Sequence, residues 1–220
     1  NKGLYCCYDL LQKLFIPLFN AKDINIHVTM KEFYEIININ IQIFTASVNE
    51  CNYIEISHKT HPDLELIKAL AMSTSIPFVF TPILHDGCYY CDCGFINNFP
   101  IIDCVNYLKN NELKTDKEIQ KIILGINGIA IKNKDSKFIL KEEDTIVQYI
   151  HYMSYKFLDK YRSEYVIKNN KVIETLDYIL NFPDEPMNIN KLKKAIYKKE
   201  RINLLKTGET IAEDFLKDKI

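Results

Sequence analysis

The 220 residues carry 28 Lys and Arg against 29 Asp and Glu, a formal net charge of −1, and 47% of them are apolar. This balance excludes a general electrostatic attraction to nucleic acid or to an anionic membrane surface, while the apolar fraction is ample for a globular core. Seven cysteines, an odd number in a chain too long to need stapling, point to a reducing, cytoplasmic compartment rather than a disulfide framework.

In chain order, apolar residues from Leu4 to Phe19 recur at helical spacing, and Pro17 predicts that this helix ends near it. A short helix is expected over Met30 to Ile37, with Thr29 as N-cap and Glu32 in capping-box spacing. The period then changes to two. Ile39, Ile41, Ile43 and Thr45 alternate with Asn40, Gln42, Phe44 and Ala46, which predicts a strand, with Tyr53 to Ser57 as its hairpin partner. Pro62 and Asp63 are expected to open a helix that stops before Pro77. The uncharged run from Ala69 to Leu84, interrupted by Pro77 and Pro82, is too short for a membrane span and reads as core.

Asp86-Gly87 is a tight-turn dipeptide between Ile83-Leu84 and Tyr89 to Asp92, predicting a hairpin whose second arm ends at Gly94. Pro100 suits a first helical position ahead of Ile101, Ile102, Val105 and Leu108. Ile119 to Ile131 reads as a second β-rich run, Thr145 to about Ser163 as a Tyr-rich helix, Asn181 to Asn190 as a linker, and Asn190 to Lys217 as a charged, solvated helix. Strands alternating with helices imply an α/β fold, a mixed sheet covered by helices, with a helical C-terminal tail.

The chemistry concentrates in one segment. Ala69-Leu70-Ala71-Met72-Ser73-Thr74-Ser75-Ile76-Pro77 and the aromatic-rich run after it lead into Asp86-Gly87, then Asp92-Cys93-Gly94 and Asn97-Asn98-Phe99-Pro100. The order and spacing resemble the patatin-like phospholipase family, in which a Ser-rich turn, Ile-Pro and a Gly-centred hairpin precede an Asp-Gly-Gly or Asp-Gly-Ala motif and Asn-Asn-x-Pro. Gly3-Leu4-Tyr5 and the strand ending at Thr45-Ala46-Ser47 also fit, so the resemblance spans residues 1 to 108. Residues 109 to 220 are expected to add a strand and helices packing on the same core.

The resemblance implies lipid acyl hydrolysis, most plausibly of a phospholipid, by a Ser-Asp dyad in which Asp92 is the base and no metal or organic cofactor takes part. A carboxylate near its reference pKa of about 3.9 is a weak base at neutral pH, so such an aspartate must be rigidly held and partly shielded from water. The implied partners are a lipid or phospholipid substrate and peripheral contact with a membrane, with no nucleic acid. The chain departs from the family in two respects. Cys93 stands where the family has the first glycine after the aspartate, so a β-carbon and sulfur must be accommodated beside Asp92, ahead of Gly94. The six glycines, moreover, flank no serine in a Gly-x-Ser-x-Gly elbow and form no Gly-rich oxyanion loop.

By resemblance both missing elements lie upstream of Gly3. The opening Asn1-Lys2-Gly3, without an initiator methionine, is expected of a segment of something longer. The isolated chain is therefore expected to be inactive, with a sheet edge awaiting an N-terminal segment or a partner. Ser73 and Ser75 belong to the Ser-rich turn and lack the strand-turn-helix context of a nucleophile. The alternative function is a non-catalytic remnant of the same scaffold acting as an interaction protein.

Cys88, Cys91, Cys93 and Cys104 are closely spaced, but strand alternation would set Cys88 opposite Cys91 and Cys93, and no second Cys-x-x-Cys completes a zinc set. Buried small hydrophobes describe them better. His58 and His61 are expected to be solvated in a loop, and His27, His85 and His151 form no recognisable set. Tyr149, Tyr152 and Tyr155, with Lys156 and Lys160, read as a helix contact in preference to a lipid-facing surface.

Overall fold

The computed structural model describes residues 3, 5–50, 52–77, 79–94, 96–130, 176–184 and 197–219, with positions 142, 145, 146, 149, 152, 153, 156, 172 and 173. Described residues up to Asn98 form one compact unit, and those from Phe99 onward a second.

The first unit opens with α1, Cys7–Asn20, which ends close to Pro17 as expected, with the proline inside its last turn. A proline this near the C-terminus forfeits a single amide bond, and Ala21 N–H still returns to the Pro17 carbonyl at 3.2 Å. Helix α2, Met30–Ile37, carries the capping box its sequence announces: Glu32 N–H donates to Thr29 Oγ1 at 3.2 Å, and Thr29 N–H donates to Glu32 Oε2 at 2.8 Å. It ends at Asn38 in left-handed backbone (φ 51°). That reversal redirects the chain, and strand β1 is Ile43–Ser47, starting later than the alternation from Ile39 predicts.

Strand β2, Asn52–Ile56, pairs antiparallel with β1. Helix α3 is Leu66–Thr74, so it starts after, not at, the Pro62-Asp63 pair. The reason is a bridge that keeps residues 64 to 66 extended: Met30 N–H donates to the Leu64 carbonyl at 2.8 Å and Leu66 N–H to the Val28 carbonyl at 2.9 Å. The helix does stop before Pro77.

Strands β3, Ile83–His85, and β4, Cys88–Asp92, form the expected hairpin. Asp86 and Gly87 have φ of 48° and 77°, the pair of left-handed residues that a type I′ turn requires. The second arm stops at Asp92, two residues short of Gly94. The sheet order is β2-β1-β4-β3, all antiparallel, which makes β4 interior and, among the described residues, β2 and β3 the edges. Register aligns Ile43 with Ile56, Thr45 with Asp92, and Ser47 with Tyr90, and cross-strand partners share a face. On that face Ile43 and Ile56 join Phe19, Met30, Leu66, Ile67 and Met72 in the main core. The opposite face holds a smaller cluster of Ala46, Cys91 and Cys93 with Phe44, Tyr53 and Ile96.

The second unit begins with α4, Ile101–Asn111, directly after Pro100. Residues 119 to 122, expected as strand, instead belong to α5, Asp116–Ile122, because Thr115 and Glu118 form a second capping box that commits this stretch to helix. Strand β5, Leu124–Ala130, follows and pairs in parallel with β6, Tyr178–Asp184. The start of the expected linker at Asn181 is therefore strand. Among the described residues β6 has β5 as its one neighbour, an edge position at which Pro183 is tolerated. Ile101, Val105, Ile119, Ile123 and Leu176 form this unit's core.

Helix α6, Lys198–Lys219, is charged and largely exposed. Most of the expected Tyr-rich helix, including Tyr155, Lys160 and Ser163, lies outside the described residues, as do His151, Ile131 and residues 185–196. The α/β class holds, with antiparallel and parallel pairing in separate sheets.

Candidate active site

Asp92 is the last residue of β4 and its side chain is half-buried. On one flank it pairs with Thr45 of β1, whose fully buried hydroxyl donates to the Cys91 carbonyl at 2.9 Å and lies 3.1 Å from the Met72 carbonyl of α3. The Asp92 amide donates to the Ser75 carbonyl at 3.0 Å, tying the strand end to the end of α3. Its carboxylate is oriented in turn by Gly94, whose N–H donates to Asp92 Oδ1 at 2.6 Å. Such a side-chain-to-backbone turn restricts the carboxylate more tightly than a strand alone, and a bond to an ionised acceptor is among the stronger kinds.

Gly94 is required by space. Its backbone lies outside the left-handed region, but a β-carbon there would sit 2.7 Å from Asn98 Oδ1 and 2.9 Å from Asp92 Oδ1. Cys93 is accommodated differently: its backbone is likewise not left-handed, and its side chain, 6% exposed, turns to the face opposite Asp92, beside Ala46 and Cys91. The β-carbon and sulfur that stand in place of a glycine hydrogen thus enter a small apolar cluster.

The turn beyond Cys93 is anchored by Asn97, itself 5% exposed. Ile96 N–H and Asn97 N–H both donate to the Cys93 carbonyl, at 2.7 and 2.9 Å, and Asn97 Nδ2 donates to the Tyr53 hydroxyl at 3.1 Å. Tyr53 in turn stacks on Phe44, with centroids 5.0 Å apart and planes within 6°. Sequence reasoning did not single out Thr45 or Tyr53 as supports for the turn. Both lie on the predicted hairpin β1–β2; the register sets Thr45 opposite Asp92, and a side-chain hydrogen bond joins Tyr53 to Asn97.

The Ser-rich turn supplies backbone to the site. The Ser75 hydroxyl is fully buried and donates to the Ala71 carbonyl at 2.6 Å, while its own carbonyl receives Asp92 N–H. Ser73 lies within α3.

Other candidate residues fall elsewhere. His58 and His61 are half-buried, not solvated, and the His58 ring stacks on Tyr34 at 3.8 Å. Burial and the neighbouring His85 hold the His61 imidazole below the usual histidine range. Burial raises the Cys104 thiol above its ordinary value. Among the described residues no three His, Cys, Asp or Glu side chains converge on a point that could hold a metal ion, and no helix is long and apolar enough to cross a membrane. Lys156 Nζ lies 5.6 Å from the centre of the Tyr152 ring, and Tyr149 is exposed.

Residues 9–105 match the model of the Patatin-like phospholipase family. A probable lipid hydrolase of Invertebrate iridescent virus 6 is 32% identical over 115 residues, a stretch that covers 52% of this chain and 39% of that relative. The chain therefore spans well under half of the viral relative's length. Both α3 and the hairpin carrying Asp92 lie inside the matched family segment.

Proposed function

We propose, from the patatin-like match over residues 9–105, that this chain supplies the aspartate half of a Ser-Asp lipid acyl hydrolase whose serine lies outside residues 1–220. The observation that carries the reading is the carboxylate of Asp92, at the end of an interior strand, oriented by Gly94 N–H at 2.6 Å. In this role Asp92 takes the proton of the serine hydroxyl as its oxygen attacks the ester carbonyl. It returns that proton to the alcohol as the acyl-enzyme forms, and then activates the water that releases the fatty acid. Oxyanion donors and the serine elbow belong to the same outside segment. The substrate is a phospholipid ester, met at a membrane surface on the cytoplasmic side, and the outside segment also covers a sheet edge at β2 or β3.

The direct experiment reads the coding sequence upstream of Asn1 and expresses the longer product. Phospholipid hydrolysis by that product, lost in Asp92→Asn and absent from residues 1–220 alone, is the expected result. Hydrolysis by residues 1–220 alone, or full activity in Asp92→Asn, refutes the assignment.

A further inference from the structure

Away from Asp92, the first unit has an open pocket of about 370 Å³ lined by Tyr8 of α1, Glu65 and Lys68 at the start of α3, and Ile83 of β3. Its polar groups are held in place by bonds that leave part of their capacity unused. Glu65 Oε2 accepts from the Tyr8 hydroxyl at 2.7 Å and lies 3.3 Å from His27 Nδ1, while among the described residues no donor meets Oε1. Gln12 Nε2 donates to the Tyr8 oxygen at 3.0 Å and holds the phenol against the carboxylate. Burial and Glu65 push the Tyr8 hydroxyl up to about 12, which keeps it a donor at any physiological pH.

Lys68 Nζ donates to His85 Nδ1 at 3.3 Å and keeps two further N–H groups, while His85 Nε2 lies 3.6 Å from Asp86 Oδ2. Lys68 forms no ion pair with Glu65. One wall therefore offers a solvent-accessible carboxylate oxygen and the other an ammonium with spare donors. Glu65, the extended N-cap residue, and Lys68, in the first turn of α3, line the same pocket. Ile83 supplies an apolar wall.

We propose that this pocket binds a small zwitterion of the phosphoethanolamine type, its primary ammonium on Glu65 Oε1 and its phosphate on Lys68. Lysine suits a phosphate as a compact point charge with several donors, and a carboxylate oxygen without a donor suits a primary ammonium, which can donate to it. A quaternary ammonium has no N–H to give and pairs poorly there. The same headgroup chemistry occurs in a membrane phospholipid and in a soluble phosphodiester. Only the former choice rests on the lipid-ester reading.

Titration of the full 220-residue chain with glycerophosphoethanolamine, glycerophosphocholine and glycerol phosphate, followed by calorimetry or amide chemical shifts, tests the site without any catalytic activity. The ethanolamine compound is expected to bind at least tenfold more tightly than either of the others. Glu65→Gln should erase that preference and leave glycerol phosphate binding unchanged, whereas Lys68→Gln should weaken all three. Equal affinity for the three ligands in the unaltered chain, or no binding at millimolar concentration, overturns the proposal without need of any variant. Sedimentation with phosphatidylethanolamine vesicles but not phosphatidylcholine vesicles assigns the ligand to a membrane headgroup. Binding of the soluble compound with no such sedimentation assigns it to a free phosphodiester. The serine-hydrolase reading stands or falls separately, on Asp92.

Discussion

Replacing Gly94 by alanine tests the frame around Asp92 directly. The new methyl group would sit 2.7 Å from Asn98 Oδ1 and 2.9 Å from Asp92 Oδ1, both closer than real contacts allow. Asn98 is exposed and can swing away, but the Asp92 carboxylate can retreat only by lengthening its 2.6 Å bond from the residue-94 amide. Losing a hydrogen bond to a charged group costs about 1.5–3 kcal/mol, so Gly94→Ala should destabilise the first unit by that amount. Amide hydrogen exchange in β1 and α3, measured against urea, reads this unit without requiring the whole chain to unfold as one. The same substitution in an Asp92→Ala, Asn98→Ala background has no clash to relieve and no bond to break. With backbone outside the left-handed region it should cost less than about 0.5 kcal/mol, or even stabilise by narrowing the unfolded ensemble. An equal penalty in both backgrounds would refute the idea that glycine is present to leave room for the carboxylate.

Tyr53→Phe keeps the stacking on Phe44 but removes the oxygen that receives Asn97 Nδ2, and should cost about 1 kcal/mol by urea unfolding while shifting the amides of residues 93 to 97. Ile67 is wholly buried in the main core, so Ile67→Ala should lose about 2–5 kcal/mol, read as a lowered urea midpoint. His61 has a depressed folded value, so the unfolded chain binds more protons near neutral pH. Stability from this residue is present above the usual histidine range near 6.5 and lost as pH falls toward the folded value, and His61→Gln should flatten the Tm profile between pH 8 and pH 5.

Local chemistry was readable where a residue's own neighbours decide its conformation. Thr29 with Glu32, and Asp86 with Gly87, specify a cap and a turn within four residues, and both form as the sequence implies. Boundaries failed where a distant partner decides. The helix expected from Pro62 waits until Leu66 because Val28 and Met30 hold the intervening backbone in a bridge. Ile119 to Ile122 look β-prone in isolation, yet the box at Thr115 and Glu118 captures them for a helix. Pro183 argues for a linker until β5 takes β6 as a parallel partner. At the candidate site, Asp92, Cys93 and Gly94 stood out through their resemblance to a family motif. Thr45, Ser75 and Tyr53 carry no motif, and their part emerges only from strand register and from a carbonyl at a helix end.

The same register restricts how a nucleophile can reach Asp92. On one flank the strand is occupied by Thr45, and on the other the β3 ladder runs only as far as Ile83 opposite Tyr90, two residues before the aspartate. Strand alternation puts the Asp92 side chain on the face it shares with Thr45, whose hydroxyl meets the Met72 carbonyl of α3, while Cys91 and Cys93 fill the other face. Under the proposed dyad, the serine must therefore arrive on the α3 side of the sheet, past the end of β4, and not from the cysteine side. Each support of Asp92 comes from this chain's own residues: the Thr45 pairing fixes the strand, the Ser75 carbonyl fixes the amide, and Gly94 fixes the carboxylate. An aspartate serving a serine without a histidine between them has no imidazole to absorb a misplacement, and an error of about 1 Å in such a group can cost 100-fold in rate. The bulk of Cys93 enters a cluster on the face opposite Asp92, so under the proposed dyad it stands away from the incoming serine.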